Sequence, residues 1–275
     1  MEFGIWPQTK YSGTAELKPC EKGINAWEQS VCYTDGTDNY IKVTAAPAEN
    51  TYTFDDGSKV EAKEYYFKLE PIQWRVLTND YNGKKLLFAE KALAASCFYK
   101  DTTNRVTDTE TIYPNNYKES NIRTFLNKDF INKAFTPAEI AKISETVVDN
   151  SAASTFGTGE TGTENQYACD NTKDKIFLLS EKEITTADYG FDAYDKYGAD
   201  STRIRKTTDY ARATGAGSIT DAELKLDNSS AFWLRSPSYD GSDYARFVDI
   251  DGRADYYDYV DTTYVSVVPA LSMTF

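Results

Sequence analysis

Histidine does not occur in the 275 residues of the chain. Because imidazole is the commonest general base and the commonest zinc ligand in proteins, its absence makes an enzyme or a zinc protein less expected. Positive charge is also scarce, since the formal net charge is -13 and the Lys and Arg residues form no cluster. The acidic balance argues against nucleic acid and against an anionic membrane surface as partners.

Long apolar runs are missing as well. No stretch of the sequence is apolar over enough residues to span a bilayer, and no secretory leader stands at its start. We therefore expect no transmembrane segment, and either a cytoplasmic protein or one whose signal or lipoprotein leader precedes the given sequence. The composition is that of a soluble globular protein, and no repeat or linker divides it. This predicts a single domain over residues 1–275.

Cysteine is used sparingly, at Cys20, Cys32, Cys97 and Cys169. No Cys-x-x-Cys phrase occurs, so the sequence predicts no metal site. Cys20 and Cys32 are near enough in sequence for a local disulfide, and two buried or free thiols are an equally good reading.

Turn-forming residues between apolar segments predict several strands. Residues 3–11 form a candidate strand bent at Pro7. Asn82-Gly83 lies between residues 72–77 and 84–89 and predicts a hairpin, because both residues accept the positive φ of a tight turn. Residues 52–54 and 60–62 predict a second hairpin around Gly57.

Capping signals predict short helices. Ser120 is a candidate N-cap for an apolar stripe, and Thr136-Pro137-Ala138-Glu139 is a capping box that begins a second helix. The two stripes contain Ile122, Phe125, Leu126 and Phe130, and Ile140, Ile143 and Val147. Residues 176–180 predict a buried strand followed by a helical turn at 181–184, and residues 208–213 predict a capped helix that ends at Gly215.

The polar, glycine-containing residues 151–171 lack the Gly-Lys-Ser/Thr phrase of a phosphate loop and are expected to form a flexible surface loop.

The C-terminal residues 232–275 have a composition of their own. Two apolar phrases, at 232–237 and 265–271, enclose a passage of Tyr and Asp separated by Ser, Gly, Ala and Thr. Tyrosine offers a large flat face and one hydroxyl, while Ser, Gly and Asp give adaptable polar contacts, as in antibody paratopes. The passage therefore predicts a binding surface. The alternative is an exposed sheet that uses tyrosine for its strand propensity.

Several phrases in a fixed order carry a resemblance. They are Phe3-Gly4 and Pro7-Gln8-Thr9, residues 72–77, residues 120–127, Phe177-Leu178-Leu179-Ser180, Thr208-Asp209-Tyr210-Ala211, Trp233-Leu234-Arg235-Ser236-Pro237 and Val268-Pro269-Ala270-Leu271. In this order the chain resembles a bacterial family of uncharacterised domains with a C-type lectin fold of the formylglycine-generating-enzyme subtype. Within that family it is similar to the Treponema-type variable proteins of diversity-generating retroelements, which are surface lipoproteins.

The resemblance implies an α+β, C-type lectin-like fold with mixed short strands, two or more helices, and the first and last strands paired. It implies a variable region at about 233–271, altered by adenine-directed mutagenesis at Asn-type codons. Tyr and Asp are each one adenine change from Asn, and histidine is equally reachable but does not occur. Trp233 and Leu234 are expected in the core, and Arg235 is expected to pair with a buried carboxylate.

The expected function is ligand binding at a cell-surface protein, without catalysis, cofactor or metal. The partner is expected to be an unknown protein or other macromolecular ligand held by the variable face of a monomer. Phe247, Val248 and Ile250 are expected to be mixed or inward-facing, and Asp251-Gly252 to make a turn. The candidate contact residues are Tyr239, Asp240, Ser242, Asp243, Tyr244, Arg246, Asp249, Arg253, Asp255, Tyr256, Tyr257, Asp258, Tyr259, Asp261 and Thr262.

Two other functions fit the same fold. A formylglycine-generating enzyme needs cysteines in its C-terminal part, and none occurs beyond Cys169. A calcium-dependent sugar lectin could use the carboxylates of Asp240-Gly241-Ser242-Asp243 and of Asp249-Ile250-Asp251-Gly252. These phrases lack the full calcium loop, so turns followed by exposed carboxylates are the simpler interpretation.

Overall fold

The computed structural model describes residues 1–162, 164–193, 195 and 198–274 and has an α+β architecture in which short strands outnumber helices. The strands in chain order are β1 (Glu2–Lys10), β2 (Lys18–Pro19), β3 (Cys32–Thr34), β4 (Asn39–Thr44), β5 (Glu64–Thr78), β6 (Lys85–Ala89), β7 (Lys91–Ala92), β8 (Ala94–Ala95), β9 (Arg105–Val106), β10 (Thr111–Ile112), β11 (Thr146–Val148), β12 (Thr172–Asp174), β13 (Ile176–Phe177), β14 (Arg205–Thr207), β15 (Ile219–Asp221), β16 (Leu226–Ser230), β17 (Phe232–Pro237), β18 (Tyr244–Val248), β19 (Tyr256–Tyr259), β20 (Ser266–Val267) and β21 (Ala270–Met273).

The α-helices are short. They are α1 (Asn121–Thr124), α2 (Ile131–Ala134), α3 (Pro137–Ile140), α4 (Glu181–Ile184) and α5 (Asp209–Ala213). A π-helical segment, Phe125–Phe130, joins α1 to α2 without a break. Single 3-10 turns lie at Gln29–Val31, Tyr117–Glu119, Ala152–Thr155 and Ala187–Tyr189. No helix in the described ranges is long and apolar enough to cross a lipid bilayer.

The largest sheet is organised around β5 and its hairpin partner β6. Its order is β13-β21-β6-β5-β4-β3-β2, and β1 also pairs with β5. The predicted turn is confirmed, because Asn82 and Gly83 both have positive φ, at 55° and 75°, and Trp74 pairs with Ala89. The strand predicted at residues 3–11 is confirmed as β1, which carries register shifts on both sides of the Ile5 to Pro7 pairs. The second predicted hairpin is reduced to one bridge, between Thr53 and Lys59.

The expected pairing of the first and last strands is wrong. β1 runs antiparallel to β5, with Ile5 opposite Pro71. The last strand β21 lies between β6 and β13, so that Leu271 is opposite both Leu87 and Ile176. Both edges of β21 are therefore filled by main-chain partners, and no edge is left for β1.

The capping signals are confirmed. The Ser120 side chain accepts a hydrogen bond from the Arg123 backbone N–H, and Thr136 and Glu139 form a reciprocal capping box with Pro137 at the first helical turn. The helix that begins there is shorter than predicted, because α3 ends at Ile140. Val147 lies instead in strand β11, where its side chain is exposed. Val147 is therefore not part of a helical apolar stripe.

Residues 151–171 are more ordered than the sequence predicts, within their described part. Ser154, Thr155 and Asn165 are buried. The Asn165 side-chain amide donates to the Pro237 carbonyl at 3.0 Å and to the Thr155 hydroxyl at 3.1 Å. Polar residues that bury their side chains against hydrogen-bond partners are part of the fold rather than a free loop. The prediction of a flexible surface loop is wrong for this part.

The two cysteines left open by the sequence, Cys20 and Cys32, form a disulfide with their Cα atoms 5.4 Å apart. The bridge joins the segment that contains β2 to β3. The turn that follows β3 is fixed by Asp35. Its carboxylate accepts hydrogen bonds from the Asp38 and Thr37 backbone N–H groups and from the Tyr40 hydroxyl. These bonds lower the pKa of Asp35 from 3.8 to about 2.

We expect the stability difference between the wild type and Asp35→Asn to depend on pH. A carboxyl whose pKa is lowered by folding stabilises the native state above its unfolded pKa and loses that contribution as the pH falls through its folded pKa. The wild type is therefore the more stable protein at neutral pH, and the difference shrinks between about pH 4 and about pH 2. Urea denaturation of both proteins across this range measures it, and a difference that does not change with pH contradicts the assignment.

Candidate functional site

The candidate site lies on a five-stranded sheet with the order β19-β18-β17-β20-β8. Every residue of β17 is buried, whereas β19 lies at the edge and pairs with β18 alone among the described residues. The two edge strands form an antiparallel hairpin in which Tyr244 lies opposite Tyr259 and Arg246 opposite Tyr257. The candidate region therefore combines a buried strand with an exposed edge hairpin.

β17 is fixed to the core by its side chains. Trp233 and Leu234 are fully buried, as predicted, and the Trp233 indole N–H donates to the Ser96 carbonyl at 2.9 Å. Arg235 pairs with the buried Glu183 carboxylate and donates to the Leu178 carbonyl at 2.7 Å. Burial alone would raise the pKa of Glu183, but the charge and hydrogen bond of Arg235 lower it below its usual value. The expected buried carboxylate partner of Arg235 is thus identified.

The loop between β17 and β18 is held by a residue far away in sequence. Asn115 is buried, and its side-chain amide donates to the carbonyls of Gly241 at 2.9 Å and Tyr244 at 3.0 Å. Its backbone N–H donates to the Ser242 carbonyl at 3.0 Å. One framework residue therefore fixes the backbone of a loop in which Tyr239, Asp240, Ser242 and Asp243 stay partly or fully accessible.

The turn between β18 and β19 depends on Gly252. Its φ of +86° favours glycine, and a Cβ at this position would lie 1.9 Å from the Asp200 carbonyl oxygen. The Asp200 backbone N–H donates to the Asp251 carbonyl at 3.1 Å. The predicted Asp251-Gly252 turn is confirmed, and the close backbone approach explains why a residue without a side chain occupies it.

One side of the edge hairpin carries a cluster of tyrosines. The ring of Tyr244 lies 5.0 Å from that of Tyr257 and 4.7 Å from that of Tyr259, centroid to centroid. Tyr257 and Tyr259 are 42% and 48% exposed. A hydrogen bond with the Tyr259 hydroxyl raises the pKa of Tyr244 to about 12, so the phenol is neutral at physiological pH. Tyr239 lies near the same side, above Arg246. We call Tyr239, Tyr244, Tyr257 and Tyr259 the tyrosine face.

The other side of the hairpin faces a different environment. Side chains alternate between the two sides of a strand, so Phe247, Tyr256 and Asp258 point away from the tyrosine face. The Phe247 and Tyr256 rings are 6.0 Å apart, and the Arg253 guanidinium lies 5.2 Å from the centre of the Tyr256 ring. The fifteen candidate contact residues are therefore divided between two sides and do not form one surface.

The comparisons with known proteins give one match. Residues 82–274 match the family described as Domain of unknown function (DUF6273). The chain belongs to this family. No curated protein and no solved structure matches the chain. The matched part begins within the Asn82-Gly83 turn and contains all five strands of the candidate sheet, so the tyrosine face lies wholly in the DUF6273 region.

Arg246 was predicted to contact a ligand, and the structure shows that this prediction is wrong. It is only 1% exposed, pairs with Asp255, and forms an ion pair with Glu181 of α4 in which Nε and Oε2 are 3.1 Å apart. Burial alone would lower the pKa of Arg246, but the two carboxylates raise it. Arg246 therefore cannot contact a ligand at the surface, because its side chain joins the hairpin to the core.

The other candidate contacts in the DUF6273 region differ in their access to solvent. The exposed residues are Tyr239, Asp240, Tyr256, Tyr257, Tyr259 and Asp261, and the half-buried residues are Ser242, Asp243, Tyr244, Asp249, Arg253, Asp255, Asp258 and Thr262. Tyr239 is fixed in place although exposed, because its ring is stacked on that of Phe156 at 5.9 Å and lies 5.0 Å from the guanidinium carbon of Arg246. Phe247 and Ile250 are half-buried and Val248 is buried.

Three of the four acidic residues of the two calcium-like phrases, Asp240, Asp249 and Asp251, have other partners. Asp249 accepts a hydrogen bond from the Ile250 backbone N–H at 2.8 Å, and Asp251 pairs with Arg253. Asp240 accepts from the Ser238 hydroxyl at 3.1 Å. Within the described ranges, no three His, Cys, Asp or Glu side chains are placed to hold a metal ion. These carboxylates shape turns.

The two free cysteines of the chain, Cys97 and Cys169, are half-buried. Burial raises the pKa of both thiols. Since the thiolate is the reactive form, neither residue has the environment of an activated nucleophile.

Sequence reasoning missed three of the groups that build this site. Asn115 and Glu181 carry no local signal, because their partners lie more than sixty residues away in sequence. Glu183 did have a signal, since Ser180 and Glu183 have the spacing of a capping box, and the structure contains that box. A carboxylate in the first turn of a buried helix is a candidate partner for a buried arginine.

Proposed function

We propose that the chain is a ligand-binding cell-surface protein with a C-type lectin-like fold of the formylglycine-generating-enzyme subtype. In this proposal residues 233–271 are a variable region that a diversity-generating retroelement alters, as in the Treponema-type variable proteins. The observation that carries the proposal is the tyrosine face, in which accessible rings lie on an edge hairpin and its neighbouring loop, whose backbones are fixed by buried groups. Variation at such rings changes what is bound without changing the fold.

The proposed mechanism of binding uses ring faces and hydroxyls. Tyrosine presents a large amphipathic contact area at a low cost in conformational entropy, and Tyr, Trp and Arg are enriched among the residues that dominate binding energies. Asp240, Ser242 and Asp243 lie in the loop that Asn115 fixes and would supply polar contacts at the rim. The ligand is proposed to be a protein or other macromolecule, bound by a monomer, and not a nucleic acid.

Binding rather than catalysis is supported by the chemistry of the site. The exposed groups are phenols and carboxylates, and the two free thiols lie outside the edge hairpin with pKa values raised by burial.

A location outside the cytoplasm is supported by the Cys20–Cys32 disulfide, since such bonds persist in oxidising compartments.

The retroelement part of the proposal is tested on DNA. We expect a near-copy of the segment that encodes residues 233–271 beside a reverse transcriptase gene, differing from it only where the copy has adenine. Codons for the tyrosine face should differ between the two copies, while those for Trp233, Arg235 and Arg246 should agree. Differences spread evenly over all four bases would contradict diversification by this mechanism.

A triple variant tests the binding surface itself. Replacing Tyr239, Tyr257 and Tyr259, the exposed rings of the tyrosine face, by alanine should abolish ligand binding and lower the melting temperature by no more than about 6–12 °C. The reason is that exposed aromatic pairs contribute about 1 kcal/mol each, and 1 kcal/mol shifts the melting temperature of a domain of this size by about 2–4 °C. Differential scanning calorimetry measures the effect. Loss of cooperative unfolding in the triple variant would mean that these rings belong to the core.

A further inference from the structure

A cleft of about 860 Å³ lies on the side of the edge hairpin opposite the tyrosine face. One wall comes from the edge hairpin, through Phe247, Asp249 and Asp258. The other walls come from residues 48–53, which precede the DUF6273 match, and from residues 217–231, which precede the candidate variable region. The volume of the cleft is in the range of small-ligand sites. Most of its walls come from outside residues 233–271, whereas Phe247, Asp258 and Tyr264 lie inside the proposed variable region.

Two tyrosines of the cleft lie close to Gly217. A Cβ on Gly217 would be 3.5 Å from the Tyr264 ring and 3.7 Å from the Tyr52 hydroxyl. The Gly217 backbone N–H donates to the Tyr264 carbonyl at 2.8 Å, which fixes the position of that residue. Burial, and then the neighbouring carboxylates, raise the pKa of both phenols, so both are neutral at physiological pH. Two neutral tyrosine side chains thus line the cleft.

The charge of the cleft has one sign. Glu49, Asp249 and Asp258 are among its lining residues, and none of the described residues that line it is Lys or Arg. Asp258 lies against one of the rings, since the Tyr264 hydroxyl donates to its carboxylate at 3.1 Å. Arg253 of the edge hairpin pairs with Asp251, lies over the Tyr256 ring and is not among the lining residues.

We propose that this cleft binds an organic cation, an alkylated guanidinium or ammonium group, whose charge lies beside Asp258 and Glu49 and whose apolar part packs on Phe247. Aromatic faces attract cations at close range, and the carboxylates of Asp258 and Glu49 add a Coulomb attraction. The net charge of -13 raises the local concentration of cations around the chain. The cation could belong to a free small molecule or to a basic side chain of a protein.

The test uses pentylguanidinium and its neutral near-isostere pentylurea, titrated into the full chain by calorimetry at low ionic strength. We expect pentylguanidinium to bind with a Kd on the order of 1 mM and pentylurea to bind about tenfold more weakly. Asp258→Asn and Glu49→Gln should each weaken pentylguanidinium binding about fivefold. Tyr264→Phe keeps the ring and releases Asp258 from its hydroxyl, so it should retain or strengthen binding. Thermal unfolding of each variant confirms that it folds.

Glu223→Gln is the matched control, because Glu223 is an exposed carboxylate in the neighbouring β15–β16 turn and does not line the cleft. It should leave the affinity unchanged. Equal affinities for pentylguanidinium and pentylurea would overturn the proposal, and so would a Glu223→Gln effect as large as that of Asp258→Asn.

A second pair of probes distinguishes the two sources of the cation. The peptide Gly-Gly-Arg-Gly-Gly is compared with the same peptide that has citrulline, the neutral isostere, in place of arginine. Selective binding of the arginine peptide, weakened by Asp258→Asn, assigns the cleft to basic side chains of a protein. Selective binding of pentylguanidinium alone assigns it to a small molecule. If neither cation binds better than its isostere, the cleft is not a cation site.

Discussion

Replacing Arg246 by methionine lowers the free energy of unfolding by about 3–5 kcal/mol. Methionine keeps much of the apolar volume of the side chain, but it leaves the buried carboxylate of Glu181 without its guanidinium partner. The cost of keeping a carboxylate out of water is then no longer offset by the ion pair. Urea denaturation of the wild type and the variant measures the difference. The double variant Arg246→Met with Glu181→Gln should recover part of the loss.

Arg253→Met is the matched control, because both arginines lie on the edge hairpin, pair with an aspartate and contact a tyrosine ring. The Arg253 side chain is 33% exposed, so we expect its replacement to cost no more than about 1 kcal/mol. Equal losses in the two variants would show that burial of the Arg246 pairs is not what stabilises the hairpin.

Replacing Trp233 by alanine is expected to lower the free energy of unfolding by about 3–5 kcal/mol. Each kcal/mol lowers the melting temperature of a domain of this size by about 2–4 °C. The ring is fully buried between Phe98 and Phe247, with centroids at 5.9 and 6.3 Å. Its removal leaves a cavity and an unpaired carbonyl at Ser96. Scanning calorimetry measures the shift.

Trp233→Phe separates the two contributions, because phenylalanine keeps a ring in the core and removes only the indole and its N–H donor. We expect Trp233→Phe to lower the free energy of unfolding by less than Trp233→Ala does. Tyr257→Ala, on the exposed side of the same sheet, should cost about 1 kcal/mol or less. If Tyr257→Ala lowered the free energy of unfolding as much as Trp233→Ala, the separation between buried core residues and the exposed tyrosine face would be contradicted.

Features with a local physical cause could be predicted from the sequence. Asn82-Gly83 requires positive φ at two adjacent residues, which selects a tight hairpin wherever it occurs. The caps at Ser120 and Thr136 depend on groups within one helical turn. The burial of Trp233 and the carboxylate partner of Arg235 had no such local cause and were expected only from the family resemblance.

Features that depend on contacts between distant residues could not be predicted. Whether β1 or β6 pairs with β21 depends on competition among several strands with similar apolar patterns, which the sequence of one strand does not resolve. The burial of Arg246 depends on Glu181, sixty-five residues earlier, so its place in the Tyr- and Asp-rich passage alone put it among the candidate contact residues. The cleft is formed by three separate segments, and no one of them carries a recognisable motif.

The central claim is that buried residues of β17 and β18 hold the fold together while the exposed tyrosine face is free to vary. A pair of displayed libraries tests this claim directly. One library randomises the exposed residues Tyr257, Tyr259 and Asp261, and the other randomises Trp233, Arg235 and Arg246. Both are exposed to a protease, which removes the chains that do not fold. We predict that most members of the first library survive and that few members of the second do. Similar survival in the two libraries would contradict the account.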